Sequence, residues 1–196
     1  MQHQSIDHRR VASSAAWLRN YYVIRFAVSA AWVVLAFTVA RQAPMIAAVM
    51  LVAYPAWDAL ANFIDAKRSG GLGRNRSQLL NVVVSGLTAI AVAVALGRGM
   101  NSVLAVFGVW AVLAGLFQLA TAIRRWSAFG AQWAMILSGA QSALAGAFFV
   151  TMASSPAVPG IADIAPYAAF GAFYFLVSAI WLTVGNARRG STSAAI

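Results

Sequence analysis

The sequence predicts an all-α membrane protein: six transmembrane helices arranged as three repeated helical hairpins. Three observations predict it: the apolar share of the chain, the spacing of its apolar runs and the one-sided placement of its cations. Hydrophobic residues make up 62% of the 196 positions and charged residues 9%, a surplus that needs a lipid solvent. The 14 Lys and Arg against four Asp and no Glu leave a formal charge of +10. These cations stand in short clusters between runs of spanning length, which fits an anionic membrane surface better than nucleic acid. Cysteine is absent, so thiolate catalysis and cysteine metal ligation are excluded.

A spanning helix needs about 20 mostly apolar residues. Residues 21–40, 44–64, 79–96, 102–123, 133–153 and 164–185 meet that requirement. They define a transmembrane domain over 21–186, between an N-terminal tail (1–20) and a C-terminal tail (187–196). The first apolar run exceeds the core of a secretory signal and reads as a retained anchor. Before it, Ser13 to Arg19 form an interfacial helix with Val11, Ala15, Leu18 and Tyr22 along one side. The turn Arg41-Gln42-Ala43-Pro44 ends the first span with Pro at a helix start, and Gly97-Arg98-Gly99-Met100-Asn101 separates the third from the fourth. Pro156, Pro159 and Gly160 mark a longer loop before the last span.

The charged connections are 65–78 and 124–132. Sorted by side, Arg9, Arg10, Arg19, Arg25, Lys67, Arg68, Arg74, Arg76, Arg124, Arg125, Arg188 and Arg189 fall on one face, and Arg41 and Arg98 on the other. That asymmetry predicts a cytoplasmic cationic face, with both ends of the chain inside. Trp17, Tyr21, Tyr22, Trp126 and Trp133 lie near the same boundary, where amphipathic rings prefer the headgroups. Lys67, Arg68, Arg74, Arg76, Arg124 and Arg125 are the expected contacts for anionic lipid.

An internal repeat runs through the spans. Shifts of 56 and then 63 residues align Tyr54 with Trp110 and Phe173, Ala59 with Gly115 and Ser178, and Asn62 with Gln118 and Trp181. Shifts of 56 and 53 carry Ser29-Ala30 to Ser85-Gly86 and Ser138-Gly139. The hairpin is the natural repeating unit.

Phe107-Gly108, Gly115-Leu116-Phe117-Gln118-Leu119, Ala122 and Arg124-Arg125, followed by Trp133, Gly139, Gly146 and Pro156, resemble the HdeD-type short-repeat membrane proteins. Tyr54 and Asp58 are similar to the Tyr-x-x-x-Asp-Gly of the first hairpin in many members. The likeness spans roughly residues 21 to 186 and departs from the pattern at Ala59 and Ser178. It implies a six-helix protein of the bacterial inner membrane, associated in some members with acid or stress tolerance, and it carries over no catalytic residue.

Arg25 and Asp58 each interrupt an apolar span, where an unpaired charge costs roughly 2.5–3.5 kcal/mol on insertion scales. Their similar depth predicts an ion pair between the first two helices. The pair reads either as a device that orients those helices or as a proton-sensitive or substrate-contacting site. Pro55, one turn before Asp58, cannot donate to the carbonyl of Leu51 and predicts a kink. Asn62, Asn81, Gln118 and Gln141 place four amides in the cytoplasmic half, as interhelical hydrogen bonds or as the lining of a vestibule. Gly115 and the stripe Ser138, Ser142 and Gly146 allow close helix approach.

The glycines and cations of 67–76 lack the Gly-Lys-Ser/Thr ending of a phosphate loop and follow a helix, so they read as a flexible basic linker. His3, Asp7 and His8, in a tail read as disordered, are too few for a metal site. No metal or cofactor is expected. The sequence therefore reads as a non-enzymatic protein working through membrane lipids, anionic headgroups and protein contacts, a homo-oligomer among them. The rival reading is a small channel or transporter with a polar path near Arg25 and Asp58.

Overall fold

A computed structural model of the chain describes the backbone of residues 2–124 and 132–193, and the side chains of 16–120, 123 and 136–185. The elements are α1 (Gln2–Phe37), a 3-10 turn (Ala40–Gln42), α2 (Pro44–Arg68), α3 (Arg76–Leu96), α4 (Met100–Arg124), α5 (Gln132–Ala153) and α6 (Ile161–Ser193). All regular secondary structure among the described residues is helical, with no strand. In hydrocarbon a helix satisfies its backbone groups internally, so a long apolar run has little alternative. Among the described residues, six helices are long and apolar enough to cross a membrane: Ala16–Gln42, Pro44–Arg68, Arg76–Leu96, Met100–Ala120, Ile136–Ala153 and Ile161–Gly185. Helix α1 runs without a break from the N-terminal tail into the first span, so the tail backbone is helical rather than disordered. The side chains of His3, Asp7, His8, Arg9, Arg10, Arg188 and Arg189 lie outside the described residues.

The connections follow local chemistry. Pro44 opens α2 at a position where its missing N–H costs nothing. Gly99 adopts φ +107° between α3 and α4, a conformation that side chains other than glycine's rarely take. The basic stretch between α2 and α3, expected as a flexible linker, is a hydrogen-bonded turn. Gly70 and Gly71 have φ of 97° and 90°, and the Gly71 N–H donates to the Ala66 carbonyl at 2.8 Å. The Asn75 amide donates to the carbonyls of Ser69 (2.7 Å) and Gly71 (2.9 Å). Gln78 donates to Asp65 Oδ2 at 3.1 Å, tying the end of α2 to the start of α3.

The segments group into two compact units. Met1–Val33 with Ala168–Ile196 form one, and Val34–Tyr167 the other. The first brings together most of α1 and most of α6. Within the second, α4 packs most extensively on α5 and α2 on α3, with α3 against α4 less so. The closest pairs thus join the second helix of one sequence hairpin to the first helix of the next.

The α5–α6 loop is held from α4. The Asn101 amide donates to the carbonyls of Ala153 (3.2 Å), Ser155 (3.1 Å) and Ala157 (3.4 Å). Asn101→Ala removes all three contacts. It should raise amide hydrogen exchange across 154–160 severalfold while leaving α2 and α3 unchanged; unaltered exchange in that loop would show that Asn101 does not hold it.

Candidate functional site: a polar network inside the spans

The second unit contains an acid at mid-span and the donors that surround it. Asp58 stands ten residues before the end of α2, about 15 Å along the helix axis, and fourteen after its start. A carboxylate there requires hydrogen-bond partners. Ser85, mid-span on α3, donates its hydroxyl to Asp58 Oδ2 at 2.7 Å. The Asn62 amide, one turn along α2, donates to the same oxygen at 3.1 Å and to the Asp58 carbonyl at 2.8 Å. Trp110, from the middle of α4, donates its indole N–H to Ser85 Oγ at 3.1 Å.

The direction of these bonds follows from the groups themselves. An indole N–H can only donate, so Ser85 accepts from Trp110 and its single proton is directed to Asp58. Three helices are thereby joined through one hydroxyl.

Aromatic rings pack around the same point. Trp110 meets Tyr54 edge-on at 6.0 Å, Phe107 at 5.7 Å and Tyr167 at 6.1 Å between ring centroids. Tyr167, near the start of α6, also meets Phe149 at 6.1 Å. Its hydroxyl lies 3.1 Å from Ser142 Oγ, and Ser142 donates to the Ala111 carbonyl at 2.9 Å. Ser142 thus links α5 to both α4 and α6.

The expected site residues divide as follows. Arg25 and Asp58 belong to different units. Within its own unit Arg25 donates from Nη1 to the Tyr21 hydroxyl at 3.0 Å. Its guanidinium carbon lies 4.2 Å from the Phe175 ring centroid and 5.7 Å from that of Tyr21, distances at which the ring faces stabilise a cation. Tyr22 stacks on Phe175 at 6.3 Å and meets Tyr21 at 5.5 Å, so aromatic contacts link α1 and α6 around this arginine. Asn62 bonds within its own helix rather than across helices. Asn81, Gln118 and Gln141 are half-buried on α3, α4 and α5. Pro55 is buried, and α2 continues through it as one helix.

Close helix approach occurs where small residues were expected, with one shift. Gly115 faces Gly139, and Gly108 faces Gly146, across the α4–α5 contact. Of the stripe read as Ser138, Ser142 and Gly146, Gly146 meets Gly108 and Ser142 donates to the α4 backbone, while Gly139 takes the close position expected of Ser138, which is half-buried. One residue is about 100° of helix rotation, which sequence spacing alone does not resolve for adjacent small residues. Among the cations expected to meet lipid, Lys67, Arg68, Arg74 and Arg76 are exposed, with Lys67 Nζ 5.3 Å from the Phe63 ring centroid. The Arg124 side chain and all of Arg125 lie outside the described residues.

Ser85, Trp110, Tyr54 and Tyr167 were not among the expected site residues. The repeat did align Tyr54 with Trp110, and Ser85 with Ser29 and Ser138, which was the available signal. The fold and the network define a multi-pass α-helical membrane protein whose spans are cross-linked through an internal acid. No family model, curated protein or solved structure matches the chain.

Proposed function

We propose that this chain is a non-enzymatic integral membrane protein of HdeD-like type. It resides in the bacterial inner membrane with both ends cytoplasmic, and contributes to envelope, acid or stress tolerance through lipid and protein contacts. One observation supports this reading above the others: the polar side chains of the spans bond neighbouring helices. Asp58 accepts from Ser85, Ser85 accepts from Trp110, and Ser142 donates to the α4 backbone. Such bonds hold helices together, each with about 0.6–2 kcal/mol in membranes. The exposed cations at the α2–α3 turn supply the attraction to anionic headgroups, at about 1 kcal/mol per cation near the surface. Their excess on one side supports the orientation.

The rival reading, a small channel or transporter, draws on the acid at mid-span, since such residues often mark ion and proton paths. Flux separates the two. Reconstituted liposomes should show no proton or solute flux above empty vesicles, with or without a pH gradient. Flux that Asp58→Asn abolishes would overturn the proposal in favour of transport.

A further inference from the structure

Helices α3 and α4 leave between them an open groove of about 320 Å³, lined by Val84, Leu87, Thr88, Ala91 and Ala105 among others, with Trp110 in its wall. Its α3 side starts eight residues after Arg76, roughly 12 Å along the helix, and ends five residues before Leu96. It therefore lies within the span. The two polar groups in the lining are already bonded: Thr88 Oγ1 donates to the Val84 carbonyl at 2.8 Å and Trp110 Nε1 to Ser85. A wall of this kind offers nothing to a polar solute or to water and accepts hydrocarbon.

Shape narrows the occupant further. The turn around Gly97–Gly99 keeps α3 and α4 adjacent at one end. A helix of another copy, about 10–12 Å across with its side chains, cannot enter between neighbours so joined, whereas an alkyl chain can. Charge supplies the second half of the argument. Arg74 and Arg76, both exposed, stand at the mouth of α3, on the end from which the groove face begins. An anionic headgroup held there has its tail directed along α3.

We infer that the α3–α4 groove is a lipid site, taking one acyl chain of an anionic phospholipid whose headgroup is held by Arg74 and Arg76. The chain lies against Trp110, and so next to the Ser85–Asp58 link that joins α2, α3 and α4. The inference rests on the lipid-contact reading above and makes it specific to one site.

The test uses the full chain in mild detergent. Native mass spectrometry after equilibration with equal phosphatidylglycerol and phosphatidylcholine should show one phospholipid retained, enriched at least threefold in phosphatidylglycerol. Ala91→Phe with Ala105→Phe fills the groove and should lower retention at least threefold. Arg74→Gln with Arg76→Gln should bring the headgroup ratio close to one. Val94→Phe, on an exposed position outside the lining, should change neither.

Because the chain has no cysteine, a second measurement avoids filling the groove. A fluorophore on Val83→Cys, exposed beside the lining residue Val84, should be quenched saturably by phosphatidylglycerol with brominated chains, and one on Val94→Cys only in proportion to total lipid. Retention unchanged in the filled variant, or equal non-saturating quenching at both labels, would overturn the site while leaving general lipid contact intact. A dimer that carries no lipid and is lost in the filled variant would assign the groove to a second copy and overturn it too. Asp58-dependent flux would instead overturn the non-transport reading and leave these lipid measurements as they stand.

Discussion

Gly115→Ala should destabilise the protein by about 1–3 kcal/mol, the range for forcing extra volume into a packed contact, and Gly115→Leu should abolish recovery of folded monodisperse protein. The reason is the register of α4 against α5. Gly108 and Gly115 are seven residues apart, as are Gly139 and Gly146, and the antiparallel pairing sets 108 opposite 146 and 115 opposite 139. A Cβ on Gly115 would run into the Gly139 carbonyl oxygen and come within 2.6 Å of the Ala143 nitrogen; one on Gly146 would come within 2.5 Å of the Gly108 carbonyl oxygen. These obstacles are backbone atoms, which cannot rotate aside, so the helices must part. Parting them forfeits dispersion along the whole contact, and lipid offers no hydrophobic drive to restore it.

Gly86→Ala is the matched control. A Cβ there meets nothing within 4 Å, and alanine is favoured over glycine inside a helix by roughly 0.5–1 kcal/mol. The two substitutions are chemically identical and should have opposite signs in thermal unfolding followed by size-exclusion chromatography. Equal stability of Gly115→Ala and wild type would mean that the α4–α5 contact is looser than described.

Asp58→Ala should cost about 2–3 kcal/mol and lower folding yield, because it leaves the Ser85 hydroxyl and Asn62 amide without the acceptor oxygen they share. Ser85→Ala should cost a similar amount, since it removes both the donor to Asp58 and the acceptor of Trp110. The double variant should fall short of the sum by about 0.5–3 kcal/mol, as expected for residues in one network. Asp58→Asn keeps an acceptor oxygen and should be milder than Asp58→Ala. Additive losses in Asp58→Ala and Ser85→Ala, or an Asp58→Ala protein of unchanged yield and melting temperature, would remove the network from the forces that hold α2, α3 and α4.

These two expectations differ in how far they could be read from the chain. Gly115 and Gly146 are visible as small residues in apolar spans, and Asp58 is conspicuous as an acid inside one. Their partners are not. Ser85 is one of several serines in apolar helices, and nothing local distinguishes it from Ser138. Its role depends on the rotation of α3 against α2 and on the depth at which Trp110 arrives from α4. Tyr167 reaches Ser142 from a different span, 25 residues away. The turn at 69–75 was readable as glycine-rich but not as ordered, because its order rests on the Asn75 amide and the Asp65–Gln78 contact.

What the sequence determined by itself is the solvent and the number of crossings. Runs of about 20 apolar residues satisfy their backbone in lipid only as helices, so length and hydropathy suffice, and the glycines and prolines between them set the turns. The one-sided cations add an expected orientation by the same local arithmetic. Which faces of those helices meet was decided by tertiary structure alone. Spans that are apolar all round carry almost no amphipathic signal to choose a face. The choice falls to close backbone contact, as at Gly115 with Gly139, and to hydrogen bonds between polar atoms on different spans, as at Asp58, Ser85 and Trp110.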